Sequence, residues 1–381
     1  MDLAGHRRRY QDVARQLAPY VAAGDDAQEI PAGALEALSA GGCFGCSLPT
    51  GYGGSGHGLR VFAVQQEELA AVWPAAAVAC TWTNLSGRLI ARFGSEQQRA
   101  DLLPGLAAGS LLGAVAWTEP KGGSDATVLD TTARRQPGGW RLDGAKRLID
   151  NVGRASFFIV GARSHEDVNP HRALSMFVVP GRHPGLVDRG VYDLLGLRGT
   201  GVGWFRLDRC EVSDDQVLGQ AGRGFYQMMD MVEFGRTGVA AMCLGICEAA
   251  LGQVAAFLPG RRAFGQPLSG NDVVLAKVAD LRVKTDAARL LMDRSAAMVD
   301  AGIRAATESA MAKLFASELA VELTAATLHL HGGIGATTQT PQARLVRDSH
   351  AFTIGEGTSE VLRKIIGRAE IARAANTSST K

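Results

Sequence analysis

The feature that most restricts the fold of this 381-residue chain is a double change of hydrophobic period along its length. Residues 1–111 read as helices, one of them opened by the capping box Ser95-Glu96-Gln97-Gln98, with Pro104 and Gly105 near its end. From residue 112 to about 222, short segments rich in β-branched and aromatic residues alternate with turn clusters: Ala114–Trp117, Gly139–Leu142, Phe157–Gly161, Ser175–Val179 and Trp204–Val212. Gly138-Gly139 is a hairpin signal within this block. Beyond residue 223 the pattern is helical again. Val274, Val278, Leu281, Ala288 and Met292 recur at helical spacing, while Lys277, Asp280, Lys284 and Arg294 occupy other faces.

Helical, then β, then helical is segregation rather than βαβ alternation. It predicts an α+β fold: an N-terminal helical domain over 1–111, a central antiparallel β-barrel or sandwich over 112–222 and a C-terminal helical bundle over 223–381. It also disposes of a decoy. Gly51-Tyr52-Gly53-Gly54-Ser55-Gly56 matches G-x-G-x-x-G. No βαβ unit surrounds it, and Ser47-Leu48-Pro49-Thr50 makes a poor strand, so it reads as a glycine-rich connection between helices.

Composition narrows the partners. With 40 basic and 38 acidic residues the net charge is +2, which gives no field for nucleic acid or an anionic membrane. Arg7, Arg8 and Arg9 are not followed by the apolar core of a signal peptide. Gly238 to Leu258 is apolar but interrupted by Glu248 and Gln253, and reads as a buried helix rather than a membrane span. A soluble, cytoplasmic protein without membrane insertion is expected. The six cysteines are scattered. Cys43-Phe44-Gly45-Cys46 has redox or zinc spacing, but no second pair or nearby His completes a tetrahedral set, so no metal is expected.

Two stretches carry the chemistry. Thr118-Glu119-Pro120-Lys121-Gly122-Gly123-Ser124-Asp125 follows the apolar strand ending at Trp117 and breaks at a proline and two glycines, with hydroxyls at the break. Such an exit lets backbone N–H groups and small hydroxyls approach a polar planar ligand. Near the far end, Gly355-Glu356-Gly357-Thr358-Ser359-Glu360 sets one carboxylate between two glycines just before a helix. Thr358 and Ser359 suit a helix cap there.

In this order and separation the two stretches resemble the acyl-CoA dehydrogenase family of flavoenzymes, over roughly Ala40 to Arg373. Leu142-Asp143-Gly144-Ala145-Lys146, Gly219–Phe225, Arg261-Arg262-Ala263-Phe264-Gly265, Gly332-Gly333-Ile334-Gly335 and Arg347-Asp348 also fall in family order. The resemblance implies that FAD lies between the β domain and the C-terminal helices, with an acyl thioester against the flavin. Glu356 is then the base that removes the α-proton, while the β-hydrogen leaves as hydride to flavin N5. Donors to the thioester carbonyl would be the Glu356 backbone N–H and a ribityl hydroxyl. The cofactor set so implied is Trp117, Thr118, Gly123, Ser124, Leu148, Asp150, Arg261, Phe264, His329, Gly332, Gly333, Thr358 and Glu360. Arg261 and Phe264 would reach a neighbouring subunit's FAD, hence a homotetramer. Substrate contacts would come from Ser124, Arg236, Gly355 and Gly357, the substrate being an acyl-CoA or an acyl-carrier-protein thioester. An electron-transfer flavoprotein or another acceptor would take the electrons.

Departures from the family pattern define this chain. Leu148-Ile149-Asp150 stands where Trp, Ile and Thr are usual, so an aromatic screen is missing and a carboxylate replaces a hydroxyl expected near N5. His329 replaces a common Gln, and Gly355 a common Tyr. Gly235 occupies the position of an alternative base in some branched-chain members. Glu233 is two residues from Gly235, about 200° around a helix, and should point elsewhere. These changes point to a short, polar or bulky acyl group. Three other readings compete: a carrier-protein-tethered dehydrogenase or oxidase of a specialised pathway, a flavin monooxygenase, and a non-catalytic flavin-binding scaffold. Retention of Glu356 argues against the monooxygenase.

Overall fold

A computed structural model describes residues 2–165 and 169–378, with side chains of 376–378 outside that description. Helices α1 (Leu3–Leu17), α2 (Val21–Ala27), α3 (Ala32–Ala40), α4 (Leu59–Val72), α5 (Pro74–Phe93) and α6 (Glu96–Ala108) form the first block. The capping box of α6 is present: Ser95 Oγ accepts from the Gln98 N–H at 3.1 Å, and Gln98 Oε1 accepts from the Ser95 N–H at 3.1 Å. Pro104 lies inside α6 without ending it, and the helix stops at Gly109, whose φ of 72° is left-handed. The glycine run at 51–56 follows a 3₁₀ turn between α3 and α4, as the absence of a preceding strand requires.

The second block holds β1 (Gly113–Ala116), β2 (Thr132–Gln136), β3 (Gly139–Ile149), β4 (Phe157–Arg163), β5 (Leu174–Pro180), β6 (Leu186–Val191) and β7 (Gly203–Ser213) in one seven-stranded sheet. The expectation of a purely antiparallel sheet needs amending: β1 pairs parallel with β4, and β2 touches β4 in parallel at Thr132–Arg163, so the sheet is mixed. The β2–β3 hairpin turns through Gly138 at φ 79°. Alternation along β4 explains how the sheet joins two cores. Phe157 and Ile159 pack into the helical core, whereas Phe158, Val160 and Ala162 fill the core of the β domain.

The third block consists of α7 (Gly224–Phe257), a small hairpin of β8 (Arg262–Ala263) and β9 (Gln266–Pro267), α8 (Asp272–Asp300), α9 (Ala306–His331), α10 (Gln342–Ala351) and α11 (Ser359–Ser378). α7 packs against α4, α5, α8 and α9. Among the described residues it alone is long and apolar enough to cross a bilayer, but 67% of its most apolar window is buried, as expected of a core helix. All six cysteines are buried and free, and no cluster of metal-ligating side chains occurs among the described residues.

Candidate active site

Glu356 lies on the turn between α10 and α11 with φ 56°, followed by Gly357 at φ 97°. A left-handed glutamate is strained by roughly 1 kcal/mol or more and persists only where its surroundings fix it. Two cations do so. Arg236 of α7 donates its Nε–H to the Glu356 carbonyl at 3.2 Å, and Lys313 of α9 donates from Nζ to the Gly357 carbonyl at 2.7 Å. Thr358 Oγ1 accepts from the Val361 N–H at 3.4 Å, capping α11 as its hydroxyl suggests, with Glu360 exposed in the first turn.

The Glu356 side chain turns inward over α7 at Gly235, where that helix has no side chain. A Cβ built on Gly235 would stand 3.0 Å from Glu356 Oε2. Oε2 is buried and has no hydrogen-bond partner. Burial pushes the carboxyl up to about 7 against the opposing pull of Arg236 and Lys313. Glu233 is occupied elsewhere, accepting from Arg304 Nε at 3.3 Å and from the Ala305 N–H at 3.1 Å.

A second carboxyl faces the first. Asp150 follows β3 and is pushed up to about 7 by burial and then by Glu356, while Trp82 of α5 and Arg154 hold it down. Repulsion between two such groups falls on whichever ionises second. Leu148, two residues earlier, is a bulge residue at φ 53° and 51% exposed. The bulge turns its side chain outward.

The strand exit lies at the same end of β3. Trp117 is buried and its indole N–H donates to the Ala126 carbonyl at 3.2 Å, while Thr118 is half-buried and Gly123 and Ser124 are exposed. The exposed loop has a rigid floor. Lys146 Nζ donates to Glu119 Oε1 at 2.6 Å and to the Trp117 carbonyl at 3.1 Å, and the Arg147 N–H bonds the Thr118 carbonyl at 3.0 Å. Glu119 also accepts from the Thr131 N–H at 3.0 Å and from the Asp130 N–H. The ion pair is buried, and further hydrogen bonds support both partners, the condition under which a buried charge pair is tolerated.

The remaining candidates gather elsewhere. Phe257 and His331 stack at 4.5 Å, joining the end of α7 to the end of α9. The β8–β9 hairpin with Arg261 and Phe264, and the α9 terminus with His329, Gly332 and Gly333, therefore share one end of the bundle. Arg261, His329 and Gly333 are exposed, and Phe264 is fully so with φ 51°. From Gly235 to Phe257 is about 33 Å along α7 at 1.5 Å per residue. Within one chain these residues do not meet Glu356.

The sequence reading missed Lys313, the Lys146–Glu119 pair and Trp82. Lys313 had a usable signal: it is a lone charge within Ala310–Ala316, where an unpaired ammonium would be costly.

A helical–β–helical chain with an inward carboxyl at the mouth of its C-terminal bundle defines an architecture shared with known flavin oxidoreductases. Residues 7–110, 114–210 and 222–371 match the N-terminal, middle and C-terminal domains of acyl-CoA dehydrogenase. An acyl-CoA dehydrogenase of Bacillus subtilis is 34% identical over 364 residues, covering 95% of this chain and 96% of that one. The human mitochondrial short-chain specific acyl-CoA dehydrogenase is 33% identical over 353 residues, covering 92% and 85%. The structure of butyryl-CoA dehydrogenase from Megasphaera elsdenii superposes with a TM-score of 0.93 at 30% identity, covering 97% and 98%. The chain belongs to the acyl-CoA dehydrogenase family, the FAD-dependent acyl-thioester dehydrogenases.

Proposed function

We propose that this chain desaturates a short or functionalised acyl thioester between its α and β carbons, with Glu356 as the base. The observation that carries the reading is the state of Glu356: left-handed, inward, unpartnered at Oε2 and pushed up to about 7. An α-proton beside a thioester is a very weak acid, so its removal needs a positioned base that ionises near the working pH. It also needs donors for the charge that develops on the carbonyl oxygen. The Glu356 backbone N–H is one such donor. Gly355 and Gly357 leave room on either side of it for the thioester.

The residues present fit FAD. The strand exit offers hydroxyls and a glycine backbone on an open face above a rigid floor, which suits a planar polar group. Thr118 and Ser124 would hold it, with Leu148 and Asp150 beside it. Arg261 would meet the pyrophosphate of a neighbouring copy's FAD. Bound FAD supplies the two-electron acceptor for the hydride that leaves the β-carbon. The roughly 33 Å along α7 between Gly235 and Phe257, about 1.5 Å per residue, supports assembly as a homotetramer. So do the exposed apolar side chains Phe264, Val273 and Leu275 at its far end.

The preference for a short or polar acyl group rests on Asp150, which brings a second carboxyl to the base, and on Trp82, whose bulky side chain bonds Asp150. A straight chain gains about 0.8 kcal/mol per buried CH₂, and a polar carboxyl in the wall offsets that gain. The test is anaerobic titration of the yellow protein, followed by kcat/KM for butyryl, octanoyl, branched and hydroxylated acyl groups as CoA and carrier-protein thioesters. We expect a short or hydroxylated group to lead. If octanoyl-CoA leads by more than about tenfold, or roughly 1.4 kcal/mol in transition-state binding, the substrate assignment is wrong.

A further inference from the structure

Lys313 is fully buried in the middle of α9, flanked by alanines at 310, 312 and 316. An ammonium in such surroundings is costly unless paired, and burial pulls Lys313 down to about 8. The hydrogen bond the structure gives it is to the Gly357 carbonyl, the residue after the proposed base, at 2.7 Å. The preceding carbonyl, that of Glu356, is held by Arg236 from a different helix. Two consecutive left-handed residues are thus each gripped through their carbonyls, one from α7 and one from α9.

We propose that Lys313 is a positioning residue for the base. It holds the Glu356–Gly357 turn in its left-handed form and sets a positive charge against the carboxyl. Charged and titratable groups from several elements surround this arrangement. Glu356 is faced by Arg236 of α7, Lys313 of α9 and Asp150 beyond β3. Lys313 is faced in turn by the Cys243 thiol and Arg236 on α7, by Glu318 on its own helix, by Glu360 in the first turn of α11 and by Glu356, while Glu233 on α7 faces Arg236. Removing the ammonium leaves Arg236 alone to favour the carboxylate, so Glu356 should ionise at higher pH. Losing the bond to Gly357 should loosen the turn.

The inference rests on Glu356 being the base, and three variants of the FAD-loaded protein test it beside Glu356→Gln. Lys313→Met removes charge and donor, Lys313→Gln keeps a donor without charge, and Lys313→Arg keeps the charge. The readouts are the pH profile of anaerobic flavin reduction by butyryl-CoA and hydrogen exchange of the amides from Gly355 to Leu362. The acid limb should move up by about one pH unit in Lys313→Met and Lys313→Gln, which is about tenfold slower reduction below the limb. Lys313→Arg should keep the wild-type limb. Amide exchange should quicken most in Lys313→Met. An unchanged limb in Lys313→Gln, with Glu356→Gln inactive, overturns the role of Lys313 alone. Wild-type reduction in Glu356→Gln overturns the base assignment itself. If Lys313→Met does not fold, the Gln and Arg pair still decides the charge.

Discussion

The two ends of the C-terminal bundle are built on opposite principles. At the Gly235 end, Glu356 is enclosed by its own chain: a bare helix backbone beneath it, Arg236 on its carbonyl, Lys313 on the Gly357 carbonyl and Asp150 across from it. At the Phe257 end, Arg261, Phe264, His329 and Gly333 face outward, and Phe264 touches little of its own chain. The first end holds the proposed base within one chain. The second presents exposed side chains that, on the proposed reading, meet a neighbouring copy. Chemistry and cofactor retention should therefore respond to different mutations.

The sharpest separation should come from Glu356→Gln, which preserves size and hydrogen bonding but cannot accept the proton. Flavin reduction by substrate should fall by about 10²–10⁴-fold in a stopped-flow experiment. Flavin content, set partly at the other end, should stay at the wild-type level. Equal loss of flavin and rate would erase the distinction between the ends.

The glycines offer a gentler comparison. A methyl group at Gly235 would press on Glu356 Oε2 from 3.0 Å, whereas one at Gly333 meets nothing within 4 Å in the chain. Gly235→Ala should slow flavin reduction by about tenfold or more through displacement of the base. Gly333→Ala should leave the rate unchanged and act, if at all, on assembly. Stopped-flow rates and light scattering on the two variants check this.

At the exposed end, Arg261→Ala should weaken FAD retention by about tenfold, the scale of one charge-assisted hydrogen bond. The flavin absorbance retained per protein after exhaustive dialysis measures it. The rate per bound flavin should not change.

The smallest effect is on pH. On the proposed mechanism the ionised form of Glu356 is the active one, and burial pushes its carboxyl up to about 7. Flavin reduction should therefore rise with pH through about 7, and Arg261→Ala should not move that limb. A limb that follows Arg261 would couple the two ends.

Much of this contrast was legible in the sequence, for reasons that differ by residue. Glu356 stood out because glycines flank it, and glycine is what a left-handed turn beside a ligand needs. The block order was legible because period is a local property. Strands β2 and β6 escaped because Thr132-Ala-Arg-Arg-Gln136 and Leu186-Val-Asp-Arg-Gly-Val191 are too polar to alternate clearly. β3 was read short because irregularities at Gly144 and Leu148 interrupt its pattern. The parallel pairing of β1 with β4 and the grip of Lys313 on Gly357 join residues more than 40 positions apart, which no local pattern encodes.

The central claim, that Glu356 removes an α-proton in the step that reduces the flavin, is tested most directly with butyryl-CoA deuterated at the α-carbon. Mixed anaerobically with the wild-type protein at pH 8, it should bleach the flavin several-fold more slowly than unlabelled substrate. Glu356→Gln should bind the thioester yet neither bleach nor exchange the label with solvent. Bleaching without an isotope effect, or label exchange that persists in Glu356→Gln, would contradict the account.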